Sequence, residues 1–133
     1  IRSLYKTQPL HLIKLWGKAM SQIKSAPKLD LVWSLVTTED IIHARAEKAD
    51  LPLILEKIKT NSSQAKFFAL LSPEDDTHTL LLIKTTSRET LELLLERIPE
   101  AKLLGDTLSL TLVSQSLEEA EQILFEKLEA ALL

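Results

Sequence analysis

The residue types and spacing best suited to chemistry fall at Lys84-Thr85-Thr86-Ser87-Arg88. The stretch follows the apolar run Leu80-Leu81-Leu82-Ile83 and precedes Leu91, Leu94, Leu95 and Ile98 at helical spacing. It therefore reads as a strand end that opens into a helix start. Lys84 and Arg88 supply positive charge, Thr85 and Ser87 supply hydroxyls, and the first amides after Ser87 are free to donate. Such an arrangement can hold a phosphate, with the helix terminus and charges favouring an anion by about 1–2 kcal/mol. The same residues also have a purely structural use, with Ser87 as helix cap and both cations in solvent. By their position Lys84 and Arg88 are expected to be exposed, to converge, and to be replaceable at little cost to folding. The substrate-binding candidates are thus Lys84, Thr85, Ser87 and Arg88. No residue is assigned a catalytic or metal-binding role.

Other chemistries lack their residues. The histidines are His11, His43 and His78, and only His43 has acids at helical spacing, Glu39 and Glu47. A structural zinc site needs four ligands. Glu74-Asp75-Asp76 reads as a solvated hairpin tip, since no glycine shapes it into a calcium loop. No serine lies in Gly-x-Ser-x-Gly. Phosphate-cradling loops need glycines for close backbone approach, and the chain has only Gly17 and Gly105. Cysteine is absent, which excludes disulfides and thiolate metal sites and fits a reducing, cytoplasmic compartment.

The elements that must position the 84–88 stretch follow from the pattern around it. A chain of 133 residues, 45% apolar and 26% charged, suits one domain with one core. No apolar run reaches the ~18 residues of a membrane span, and no signal peptide is legible. The chain starts at Ile1, which reads as a piece cut from a longer protein. Charge is uneven: residues 1–28 hold six basic residues and no acid. Such a face suits a polyanion, a neighbouring domain or plain solvent. Ser3 suits a cap and Pro9 a first turn, with one helix over residues 9–25 ended by Pro27. Gly17 inside it implies close packing there. Strands are expected at 29–36, 66–71, 79–85, 102–104 and 107–113. Helices begin at Thr38, running to about Lys48, then near Asp50, after Ser87, and after Ser116, where Ser116 and Glu119 form a capping box. The sum is an α/β (α+β) fold, a mixed sheet of about five strands with helices packed on it. A long connecting helix at 1–28 precedes a globular unit at 29–133.

The order of elements resembles a known family. The segment "SLYKTQPLHLIKLWGKAMSQIK" is similar to the connecting helix after the catalytic domain of DHH-family phosphoesterases of the RecJ, oligoribonuclease and exopolyphosphatase type. "LVWSLVTTEDI" resembles the strand and helix start that follow. "DLPLILEKIKTNSSQAKFFALLSPEDDTHTLLLIKTTSR" resembles the family's helix, hairpin and strand ending in a basic-hydroxyl cluster, and "SLEEAEQILFEKLEAAL" its closing helix. The likeness in pattern spans nearly the whole chain. It implies that Lys84-Thr85, with Arg88 nearby, stands where the family holds substrate phosphates. The family's Gly-Gly-Gly-His loop is replaced by "ERIPEAKLLGD", so the site is degenerate. The resemblance further implies a C-terminal substrate-binding or accessory domain, inactive alone, acting on a phosphate ester or short nucleic acid. Manganese or magnesium belongs to the N-terminal catalytic lobe outside this chain, which itself carries no cofactor. That lobe is one expected partner; single-stranded nucleic acid or a nucleotide, and a second copy of the chain, are others. The alternative is a non-catalytic dimerisation or interaction module, which the leucine runs at 80–82 and 93–95 support, though a sheet covered on both faces explains those runs equally well.

Overall fold

The computed structural model describes residues 10–62 and 64–132. The expected cap at Ser3 and first-turn Pro9 lie outside them. The elements are α1 (Leu10–Ser21), β1 (Lys24–Ala26), β2 (Leu31–Leu35), α2 (Thr38–Ala44), α3 (Leu51–Thr60), β3 (Phe67–Pro73), β4 (His78–Thr85), α4 (Arg88–Arg97), β5 (Lys102–Leu104), β6 (Thr107–Val113) and α5 (Leu117–Leu132). They build an α+β fold on one six-stranded mixed sheet in the order β1-β2-β3-β4-β6-β5. Only β2 and β3 run parallel.

The mixed α/β sheet read from the sequence is present, with one strand beyond the five segments named there. Helical periodicity predicted one helix through residue 25, yet α1 ends at Ser21 and residues 24–26 pair with β2, Lys24 opposite Trp33 and Ala26 opposite Leu31. Ladder hydrogen bonds to an existing strand outweigh a weak local helical pattern. Pro27 then opens a short 3-10 turn, and Asp30, left-handed at φ 51, turns the chain into β2. The helix expected through Lys48 also stops early. Arg45 turns left-handed at φ 58, and its N–H and that of Ala46 bond back to the carbonyls of Ile41 and Ile42, a helix-closing arrangement. Among the described residues Gly17 has no packing reason, since a Cβ there would meet nothing within 4 Å.

Side-chain alternation along the strands makes two cores, one on each sheet face. On one face Trp33, Phe67, Ala69, Leu71, Leu81 and Ile83, with the leucines of β6, pack under α4 and α5. On the other, Phe68, Leu70 and Leu82 pack under α1, α2 and α3. This second core draws on β2, β3 and β4 and takes no residue of β5 or β6 among those described. Fixed polar ties lock the layers. Ser34 Oγ donates to the Ala19 carbonyl of α1 at 2.5 Å. Glu121 of α5 accepts from Trp33 Nε1 at 2.8 Å and pairs with Lys24 at 2.9 Å.

Candidate anion site at the end of the fourth strand

The sequence pattern places β4 in the sheet centre, antiparallel to both neighbours, so its last residues emerge beside the starts of β3 and β6. Alternation decides what each does. Lys84 shares the face of Leu82, toward α3; Thr85 shares the face of Ile83, toward α4.

Lys84 is buried, with its side chain 6% exposed, and its ammonium lies 2.6 Å from Asp106 Oδ1 and 3.1 Å from Glu56 Oε1. Glu56 comes from α3 and Asp106 from the two-residue turn joining β5 to β6, where Gly105 takes φ +65, a backbone region glycine enters freely. The hydrogen bond from Lys84 holds the Asp106 carboxyl below the usual carboxylate range, with Lys59 nearby adding to the pull. A buried cation must be paired, and the fold supplies two carboxylates. The expectation of an exposed, freely replaceable Lys84 is therefore corrected. Burial follows from its register opposite Phe68 beneath the edge of α3, which a one-dimensional reading of a strand end does not contain.

Ser87 caps α4, its Oγ accepting from the Thr90 N–H at 3.3 Å, and Thr85 Oγ1 donates to the Ser87 carbonyl at 2.6 Å. Thr86 is exposed, and its N–H bonds to the Lys66 carbonyl at 3.2 Å, tying the turn to the start of β3. Arg88 is exposed and meets Glu92 one turn on, Nε to Oε2 at 3.4 Å. The structure thus brings Thr85, Ser87 and Arg88 together on the α4 side and sets Lys84 on the α3 side. The two cations do not converge: each has its own carboxylate partner, across the sheet from the other. Sequence reasoning missed Asp106 and Glu56 as partners of Lys84. Asp106 had a local signal, a Gly-Asp turn one strand over; Glu56 had none, because nothing in its helix marks it as facing β4.

Elsewhere the polar clusters serve local structure. Asp75 is lowered to about 2, chiefly by the Thr77 N–H and then by His78, within the β3–β4 hairpin tip. Among the described residues no group of three or more histidine or acidic side chains is placed to hold a metal ion. No described helix is long and apolar enough to cross a membrane.

Against known proteins, no family model and no curated sequence matches the chain. Solved structures do. An exopolyphosphatase-related protein from Bacteroides fragilis superposes with a TM-score of 0.72 at 17% identity over 95% of this chain. A pGpG-specific phosphodiesterase, PggH, from Vibrio cholerae superposes with a TM-score of 0.51 at 12% identity over 91% of it. These likenesses are of fold. This chain spans 36% of the first protein and 40% of the second.

Proposed function

We propose that this chain is the substrate-binding accessory domain of a cytoplasmic DHH-like phosphoesterase, with the metal chemistry on another part of the polypeptide. The observation that carries the reading is the superposition on an exopolyphosphatase-related protein over nearly the whole chain, a third of that protein's length. The pattern resemblance of the sequence to DHH-family phosphoesterases points the same way. The β4–α4 turn offers groups that suit a phosphate monoester or diester. Arg88 supplies exposed charge, the dipole of α4 stands behind its first turn, and Thr85 and Ser87 hold that turn in place, Ser87 Oγ taking the Thr90 N–H. Lys84 stands one residue back, on the far side of the sheet. Contacts of this kind alone give weak, millimolar-class recognition, and the catalytic lobe supplies the rest.

The test is an NMR titration of the chain with the dinucleotide pGpG and with pyrophosphate. Amide shifts centred on residues 86–90 are expected, weakened in Arg88→Ala. Shifts centred elsewhere, or none at millimolar ligand, overturn the reading. Manganese-dependent hydrolysis by the purified chain alone would overturn the division of labour.

A second reading, an interaction module, draws on one specific observation. Away from the buried Thr107, the α3-side face of β5 and β6 is open and carries Leu104 at 57% and Val113 at 71% exposure. A concentration-dependent dimer in sedimentation, lost in Val113→Lys, is its expected signature; a monomer at all concentrations removes self-association through this face.

A further inference from the structure

The outer surface of the α1–α3 layer carries aliphatic side chains that no described part of the chain covers. α1 and α3 lie side by side and run the same way. His11 Nε2 is 3.6 Å from Asp50 Oδ2, and further along both helices the Lys57 ammonium stands 5.6 Å from the centroid of the Trp16 ring. Between those two contacts Ile13 of α1 and Leu53 of α3 come level, 48% and 52% exposed, and Leu10, one turn before Ile13, is 65% exposed. Helical spacing puts Gly17 on the same outward face, one turn beyond Ile13, where a Cβ would meet nothing within 4 Å. Aliphatic knobs around a bare stretch of backbone suit the close crossing of another helix. The frame of this patch is cationic. α1 holds no acid, Lys14 is exposed beside Leu10, Lys18 reaches Asp40 only at 3.8 Å, and Lys57 stands on the α3 side. An opposite surface lies across the sheet. α5 turns Glu118, Glu119, Glu126 and Glu129 outward, and it ends in exposed Ala130 and Leu132.

We propose that the chain associates head to tail, the acidic outer face of α5 in one copy docking on the Leu10, Ile13, Gly17 and Leu53 patch of the next. Charge selects this occupant. Two such patches meeting across a two-fold axis would set lysine against lysine, which is repulsive. A nucleic acid would satisfy the lysines and leave the aliphatic side chains in water. α5 answers both needs, with glutamates for Lys14 and Lys57 and with Ala130 and Leu132 for the aliphatic groups. Gly17, which has no packing use inside the fold, then lets the incoming helix approach closely. The two surfaces differ and lie on opposite sides of the sheet, so the contact is heterologous. Each copy that uses one surface leaves the other open, and association runs on past the dimer. The contact uses neither the β4–α4 turn nor the open face of β5 and β6.

Sedimentation velocity of the full chain tests this. The parent should pass from monomer to species larger than a dimer as its concentration rises, and about 0.5 M sodium chloride should weaken the association by screening the charge pairs. Leu53→Glu spoils one surface, and Glu126→Lys with Glu129→Lys spoils the other. All three positions are exposed, so both variants should keep the urea midpoint of the parent. Each alone should weaken association at least about tenfold. Mixed in equal amounts they should form a dimer and stop there, since the pair retains one intact copy of each surface. Gly17→Ala should weaken association several-fold while raising the urea midpoint, a split that a change in fold stability alone does not produce. A parent that stays monomeric at millimolar concentration overturns the proposal. A dimer that Val113→Lys abolishes and Leu53→Glu leaves intact also overturns it, and assigns association to the β5–β6 face. A mixture of the two variants that stays monomeric while the parent associates overturns the head-to-tail arrangement, and association untouched by Gly17→Ala overturns the crossing on α1.

Discussion

The two faces of the sheet are covered to different extents, and the contrast is visible between neighbouring strands. β4 is buried on both sides: Leu81 and Ile83 pack under α4 and α5, Leu82 under the α1–α3 layer. β6 is buried along its length on one side, with Leu108, Leu110 and Leu112 inward, while on the other side Thr107 is buried at the margin and Thr111 and Val113 stand in solvent. Their sequences differ accordingly. β4 runs Leu-Leu-Leu-Ile without interruption, while β6 alternates Thr-Leu-Ser-Leu-Thr-Leu. A continuous apolar run marks a strand between two layers and strict alternation marks one with a wet face. The α1–α3 layer stops between these strands, and Lys84, Glu56 and Asp106 lie at that margin. A charged cluster can be buried there because its carboxylates reach water while its ammonium does not.

The largest test of this contrast is a set of truncations followed by urea unfolding. Leu81→Ala and Leu82→Ala, adjacent but on opposite faces, should each cost about 2–5 kcal/mol, as buried leucines do. On β6, Leu110→Ala should fall in that range and its neighbour Thr111→Ala within about 0.5 kcal/mol. A large loss at Thr111 would mean that the bare face is covered in solution. At the layer margin, Lys84→Ala should cost about 1–2 kcal/mol, less than breaking a fully buried pair because both carboxylates remain hydrated. Arg88→Ala, its supposed counterpart, should stay within about 0.5 kcal/mol.

The pH dependence sharpens the same point. Asp106 has a folded-state pKa below its unfolded value. Its contribution is therefore fully present above the unfolded carboxylate range, about 4, and is lost as pH falls through the lower folded value. Acid unfolding profiles of the parent and Asp106→Asn should converge below that window and separate above it; parallel profiles throughout would show that the pair adds nothing. Smallest of all, Gly17→Ala should stabilise the chain by up to about 1 kcal/mol, since the site is helical and open.

Most of the fold was legible because local signals agreed with the tertiary outcome. Ser87 caps α4, the Thr37–Asp40 capping box starts α2, and both strands flanking Gly105-Asp106 fall where alternation and the turn put them. At α5, Ser116 Oγ accepts from the Glu119 N–H as expected, while the Glu119 carboxylate reaches the N–H of Gln115 rather than that of Ser116. Residues 24–26 were misread because three residues carry no period, and only β2 makes them a strand. The candidate anion site was half legible. Its residue types stood together in sequence, but which sheet face each occupies depends on register, and register placed Lys84 and Arg88 on opposite sides.

The division into two layers also gives each its own optical reporter. Trp33 lies in the α4–α5 core, with its N–H bonded to Glu121 and its ring edge-on to Phe125 at a centroid distance of 5.0 Å. Trp16 lies on α1 against the other core, beneath the Lys57 ammonium, 5.6 Å from the ring centroid. Replacing either indole by phenylalanine leaves a protein whose fluorescence speaks for one layer alone. Emission from Trp33 would follow the seating of α5, and emission from Trp16 the packing of α1 against α3. Stopped-flow traces from the two variants can then time the assembly of each side of the sheet separately within a single chain.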